Sequence, residues 1–186
     1  MKIETTALPD VLILTPARFG DARGWFSEVF SAPRLAAAGI AIDWVQDNHS
    51  LSTKPGTLRG LHYQSPPHAQ DKLIRCSRGE IFDVAVDFRK GSPTYGKWFG
   101  VTLTPENGHQ LLIPKGFLHG FVTRAYDSEV QYKCSDIYAQ DCDGGISWND
   151  PDIGIKWGVS DPILSAKDTA ARFLRDFVSP FTWKPA

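Results

Sequence analysis

The feature that most constrains this chain is a series of short apolar runs separated by turn signals. The runs are Leu73–Cys76, Glu80–Phe88, Trp98–Leu103, Gln110–Ile113, Gly120–Arg124 and Glu129–Tyr132. Between them stand Arg78-Gly79, Lys90-Gly91-Ser92-Pro93, Pro105-Glu106-Asn107-Gly108 and Pro114-Lys115-Gly116, residue types that bend a chain rather than extend a strand. Short strands at this spacing, with little helical periodicity, predict an all-β sandwich or barrel. The N-terminal part adds strands at Val11–Thr15 and Trp25–Phe30, and a third at Trp44–Leu51 whose Gln46-Asp47-Asn48-His49 is unusually polar. Short peripheral helices are predicted from Ser31 and Pro33 through Ala38, ended by Gly39, and from Ser165 onward, with Thr169–Leu174.

Composition sets the outer bounds. A chain of 186 residues with 42% hydrophobic content can bury a full core, and one domain over 1–186 is expected. The net charge of -1 provides no electrostatic footprint for nucleic acid or an anionic membrane, so an anionic ligand needs a local cluster of Arg and Lys. No apolar run approaches the roughly 20 residues of a membrane span, and the N-terminus has no signal-type apolar stretch. Cys76, Cys134 and Cys142 lack metal-type spacing, so reduced thiols and a cytoplasmic location are the expectation.

One strand carries the residues most suited to chemistry. Thr57-Leu58-Arg59-Gly60-Leu61-His62-Tyr63-Gln64 follows the Lys54-Pro55-Gly56 turn. In a regular strand Leu58, Gly60, His62 and Gln64 face one side, and Thr57, Arg59, Leu61 and Tyr63 the other. A lone strand histidine is commonly a satisfied core residue, yet a bare glycine beside it leaves room for a ligand. Arg59 and His62 fall on opposite sides, so serving one ligand requires a twist, a bulge or a pocket mouth between them.

Two spacings, Gly56-x5-His62 and Gly108-x5-Pro114-x-Gly116-x2-His119, resemble the paired motifs of the cupin superfamily, a double-stranded β-helix of jelly-roll type. A metal-binding cupin has a second histidine where this chain has Gln64, and a Glu shortly after that is missing here. An amide oxygen substitutes poorly for imidazole at a transition metal, so no metal is expected. A histidine without a metal suits general acid/base catalysis. Lys72 offers a cation, Tyr132 a phenol, and several carboxylates could orient the base. Asp83, on a strand whose inward face is ambiguous, is a candidate for an additional active-site carboxylate.

The likeness extends further. Besides the central stretch, Gln46–Ser50, Arg78–Asp87, Ile113–Phe121, Trp148-Asn149-Asp150-Pro151 and Leu164–Asp168 closely resemble, in the same order, the dTDP-4-dehydrorhamnose 3,5-epimerase family. The resemblance implies removal and return of protons at C3 and C5 of a dTDP-linked 4-keto-6-deoxyhexose through an enolate, without cofactor. By resemblance His62 is the base, Asp168 orients it, Tyr132 is the proton donor and Lys72 stabilises the oxyanion. Asp168 also fits a cap, since Ser165-x-x-Asp168 has the spacing of a capping box.

For the nucleotide, the resemblance assigns Arg23, Glu28, Gln46, Asn48, Arg59 and Lys167 to the diphosphate and base, and Tyr138 to stacking on thymine. Phe26, with Phe19, lines the same pocket or packs in the core. His119 contacts the sugar or diphosphate. Asp143 stands where a Glu is often found, a shorter arm for a nucleotide contact. The family also implies a homodimer in which N-terminal strands cross to the partner. Three alternatives stay open: a single-centre epimerase, a metal-dependent cupin oxygenase and a non-catalytic sugar-nucleotide binding protein.

Overall fold

Alternating side chains on the central strands are sorted between the inner and outer faces of two facing sheets in the computed structural model, which describes residues 1–185. The strands of the N-terminal part are β1 (Lys2–Thr5), β2 (Leu12–Thr15), β3 (Arg18–Asp21), β4 (Gly24–Ser27), β5 (Gln46–Ser52) and β6 (Leu58–Gln64), with helix α1 (Ala32–Ala37) between β4 and β5. Next come β7 (Lys72–Arg78), β8 (Ile81–Asp87), β9 (Arg89–Lys90), β10 (Trp98–Leu103), β11 (Gln110–Ile113), β12 (Phe117–Thr123) and β13 (Ser128–Cys134). The C-terminal part contributes β14 (Asp143–Gly145), α2 (Ala166–Thr169) and β15 (Phe181–Thr182).

One sheet has six strands in the order β1-β2-β11-β7-β13-β5, and the other five in the order β10-β8-β12-β6-β14. Two antiparallel sheets face to face, with strands that neighbour each other in space but not in sequence, make the predicted jelly roll. Between them Ile74, Leu111, Ile113 and Val130 meet Ile81, Ala85, Leu103, Phe117 and Phe121. Each large apolar side chain buried in this way contributes about 1.5–3 kcal/mol.

Both outer faces are covered as well. Leu58, Leu61, Val84, Leu118 and Val122 pack under Ile146, Ile153, Trp157 and Leu174 of the C-terminal segment. Leu14, Leu73 and Leu112 pack under Leu35 of α1 and the Phe30–Trp44 region. Ser31 takes the N-cap position of the first helix without a side-chain capping bond, and Pro33 lies in its first turn, where the sequence placed it. The second starts behind the Ser165 cap as expected but ends at Thr169, short of Leu174, where a separate 3-10 turn covers Leu174–Asp176. No helix among the described residues is long and apolar enough to cross a membrane.

Candidate active site

The inward face of the six-stranded sheet is apolar in the middle and polar at one end. Gln46, Cys134 and Lys72 form one cross-strand row there, and Asn48, Tyr132 and Ile74 the next. On the facing sheet, His62 of β6 is the direct cross-strand partner of His119 of β12. A cavity of about 410 Å³ opens between these walls, lined by Arg59, His62, Lys72, His119, Tyr132 and Asp168. An adjoining cavity of about 230 Å³ shares His62, Lys72 and Tyr132 and continues past Gln46, Asn48, Tyr138, Asp143 and Lys167.

The opposed faces of Arg59 and His62 are reconciled by a bulge. His62 pairs with His119 and Arg59 with Phe121, so three steps on β6 span two on β12. The extra residue restores Arg59 and His62 to one face. Gly60 sits at this point with φ 125°, and the Gly60–Leu61 peptide is cis. A Cβ on Gly60 would lie 2.6 Å from Gly120 Cα and 2.7 Å from the His119 carbonyl oxygen. The bare glycine therefore makes room for the neighbouring strand, which corrects the expectation that it makes room for a ligand.

His62 Nε2 lies 2.5 Å from Asp168 Oδ1. Asp168 is 4% exposed, and burial opposes its charge; hydrogen bonds from His62, Ser165 and the Gly60 N–H outweigh that and hold the carboxyl below its ordinary range. An ionised carboxylate only accepts, so the imidazole proton is on Nε2 and Nδ1 is left as the basic nitrogen. Ser165 Oγ donates to Asp168 Oδ2 at 2.8 Å and accepts from the Asp168 N–H at 3.1 Å. Cap and dyad, posed by the sequence as rivals, coexist because the two carboxylate oxygens are used separately. The segment before α2 is tied to β6 by hydrogen bonds from Leu58 N to Ile163 O and from Ile163 N to Gly56 O, which seats Asp168 behind the histidine.

Lys72 has no hydrogen-bond or ion-pair partner among the described residues, although it lines both cavities. Burial pushes its pKa down, opposed by the acidic groups Cys134, Asp143 and Asp83. Burial likewise raises the Tyr132 phenol above its usual range, so the hydroxyl keeps its proton well past neutrality. The cavity thus brings an oriented imidazole, an unpaired ammonium and a protonated phenol together, with His62 and Tyr132 on opposite walls.

Around the second cavity, Lys167 Nζ binds Asp143 Oδ2, which also accepts from Tyr138 Oη at 3.3 Å. The short Asp143 side chain reaches both. Gln46 Oε1 accepts from Tyr138 N at 2.9 Å, and Gln46 Nε2 donates to Asn48 Oδ1 at 3.1 Å. Arg59 at the mouth donates to Ser52 Oγ and Leu51 O, each at 3.2 Å.

Three candidates lie elsewhere. Arg23 pairs with Asp21 at 2.5 Å on the β3–β4 hairpin, and Phe26 on the same hairpin is 69% exposed. Glu28 pairs with Arg34 at 3.1 Å and lines a separate groove of about 460 Å³ on the outward face of the six-stranded sheet. Neither cavity that His62 lines includes any of them.

Sequence reasoning missed Ser50, Phe121 and Ser165 on the cavity wall. The alternation Gln46, Asn48, Ser50 would have exposed the first. Gln64 is buried, its amide donating to the carbonyls of His68 and Ile137 and accepting from Ala139 N at 2.9 Å. It clamps the loop that carries Tyr138 and has no free donor for a metal. Among the described residues, no group of three or more His, Cys, Asp and Glu side chains is placed to hold a metal ion.

The fold and the cleft define a jelly-roll protein whose interior mouth gathers acid–base side chains beside cationic ones. Residues 5–176 match the family model described as dTDP-4-dehydrorhamnose 3,5-epimerase, and the chain belongs to that family. It is 53% identical over 169 residues to the dTDP-4-dehydrorhamnose 3,5-epimerase of Shigella flexneri, covering 90% of this chain and 93% of that one. Among solved structures it is similar to the Legionella pneumophila dTDP-6-deoxy-D-glucose-3,5-epimerase in complex with dTDP-4-keto-L-rhamnose. There the TM-score is 0.94 at 43% identity, covering 100% of this chain and 99% of that one. A 3'-monoepimerase from Streptomyces bikiniensis bound to dTDP-quinovose is less alike, with TM-score 0.86 and 32% identity over 91% of this chain and 86% of that one.

Proposed function

We propose that this chain epimerises dTDP-4-dehydro-6-deoxy-D-glucose at C3 and C5 to dTDP-4-dehydro-L-rhamnose, an isomerase activity serving dTDP-L-rhamnose biosynthesis. The observation that carries the reading is the placement of His62 on one sheet and Tyr132 on the other, across a cavity that also holds Lys72. Both carbons flank the C4 ketone, so loss of either proton yields an enolate. His62 Nδ1 takes the proton, and its Nε2–H to Asp168 supports the imidazolium that forms. Lys72 balances the charge developing on O4, a fixed-charge effect that commonly contributes most to such a barrier. Tyr132 returns a proton to the opposite face, which inverts the centre.

The neighbouring cavity suits the nucleotide. Arg59, Lys167 and His119 supply cationic or donor groups for diphosphate, Gln46 and Asn48 supply amides for the base, and Tyr138 supplies a stacking face. Arg23, Phe26 and Glu28 keep a nucleotide role if a second copy brings its N-terminal hairpin to this mouth. We therefore propose a homodimer with exchanged N-terminal strands. The single domain and cytoplasmic setting belong to the same reading, supported by three cysteines present as free thiols.

Proton NMR of the product formed in D2O tests the function. Deuterium at both C3 and C5 is the expected result; deuterium at one carbon would instead establish the single-centre reading. His62→Asn is expected to abolish exchange at both carbons while dTDP binding persists. Tyr132→Phe is expected to impair completed inversion more than wash-out of the substrate proton.

A further inference from the structure

The cleft holds a second histidine–carboxylate pair to which the proton transfers above give no part. His119 points Nε2 at Asp83 Oδ1, 2.7 Å away, just as its cross-strand partner His62 points Nε2 at Asp168. Asp83 is 0% exposed, and its Oδ2 is buried with no hydrogen-bond partner among the described residues. Its inward-facing neighbours on β8, Ile81 and Ala85, belong to the apolar core. Packing alone gives no reason for a carboxylate here, since an incompletely bonded buried charge is costly.

We propose that Asp83 is a positioning residue for the epimerisation: it orients His119 with Nε2–H toward itself and Nδ1 toward the substrate, and its charge supports the cations facing the developing oxyanion. The proposal rests on the epimerase reading of the same site. An imidazole held on one side by a carboxylate presents its other nitrogen in a single direction. His119 shares its wall of the cavity with Arg59 and faces Lys72 across it, so an anion behind it acts on several donors rather than on one.

Several groups face Lys72: Cys134 and Tyr132 on β13, Asp143 on β14 and Lys167 on α2. His62, His119 and Arg59 face it from the other sheet. Of the two carboxylates acting on it, Asp83 is the one sealed from solvent, so its charge is the less screened. Replacing Asp83 by Asn retains an acceptor for His119 Nε2 and removes the charge, with an amide NH2 in place of the unpartnered Oδ2. With less negative charge nearby, Lys72 loses its proton at lower pH, and activity that needs the ammonium fades sooner as pH rises.

The test compares wild type and Asp83→Asn for kcat, KM, pH profile and calorimetric dTDP binding. We expect kcat to fall roughly 10–100-fold, KM and dTDP affinity to stay within about twofold, and the alkaline limb to move to lower pH. Wild-type kcat with an unmoved alkaline limb in the variant would overturn the proposal. So would parallel losses of kcat and dTDP affinity, which indicate general damage to the site. A variant that does not fold leaves the wild-type protein to decide, through nitrogen-15 NMR of the His119 ring: a proton on Nε2 supports the assignment, and a bare Nε2 overturns it. Absence of epimerisation by the wild type removes the functional reading itself, whereas competent wild type beside an equally competent variant removes only the role of Asp83.

Discussion

Asp168 works with both carboxylate oxygens, one on His62 and one on the Ser165 cap, so its replacement has two separable consequences. Asp168→Asn should lower kcat by about 10²–10⁴, the range of positioned acid–base catalysis, while dTDP affinity changes little. The second consequence concerns stability. The folded carboxyl is held below its ordinary range, so the unfolded chain binds the proton more readily and Asp168 stabilises the fold above its unfolded value. That contribution is lost as pH falls below about 4 and through the folded value. Urea midpoints of wild type and Asp168→Asn should therefore differ at neutral pH and converge in acid; a gap that persists in acid would show that packing, and not ionisation, is responsible. At Lys72, with its ammonium unpaired, Lys72→Met should reduce kcat by about 10²–10³, the loss typical of removing one oxyanion partner. Steady-state rates check this directly.

At the scale of an element, β6 is shaped by its bulge. The extra residue between Arg59 and His62 sets both toward the cavity, and the close approach to β12 depends on Gly60. Gly60→Ala brings a Cβ into the β12 backbone at a positive φ. Overpacking of this kind costs about 1–3 kcal/mol, with strained backbone adding about 1–3 more. Urea titration should show the loss, and kcat should fall with it because the strand can relax only by shifting the bulge that aims His62. The polar strand β5 illustrates the same point from the other sheet. Its Gln46, Asn48 and Ser50 alternate inward in register with Cys134, Tyr132 and Val130, so its polarity belongs to the cavity mouth.

For the whole molecule, Arg23, Phe26 and Glu28 sit away from the cleft of their own chain. If the N-terminal hairpin completes a neighbour's site, Arg23→Ala and His62→Asn impair different chains' contributions to one cleft. Mixing the two variants should then yield activity above either alone, since a mixed dimer contains one site with both native residues. No recovery on mixing, with dimers verified by sedimentation, would place Arg23 in cis or outside the site. Partition of functional groups between two copies would also account for a hairpin that carries Phe19, Trp25 and Phe26 exposed at its surface.

The amino-acid order was sufficient for the fold class and most strand positions, because alternation and turn chemistry are local properties of the chain. Trp98–Leu103 and Gln110–Ile113 appear with the bounds read from sequence, where glycine and proline mark both ends. Family resemblance also singled out His62, Lys72, Tyr132 and Asp168, although no periodicity could bring them together. Their meeting depends on register: β6, β7, β13 and α2 are distant in sequence and converge only when the two sheets face each other. The bulge at Gly60, the dual use of Asp168 and the pairing of His119 with Asp83 were likewise decided by tertiary structure. Each depends on a long-range contact, and a contact of that kind leaves no local period in the sequence to read.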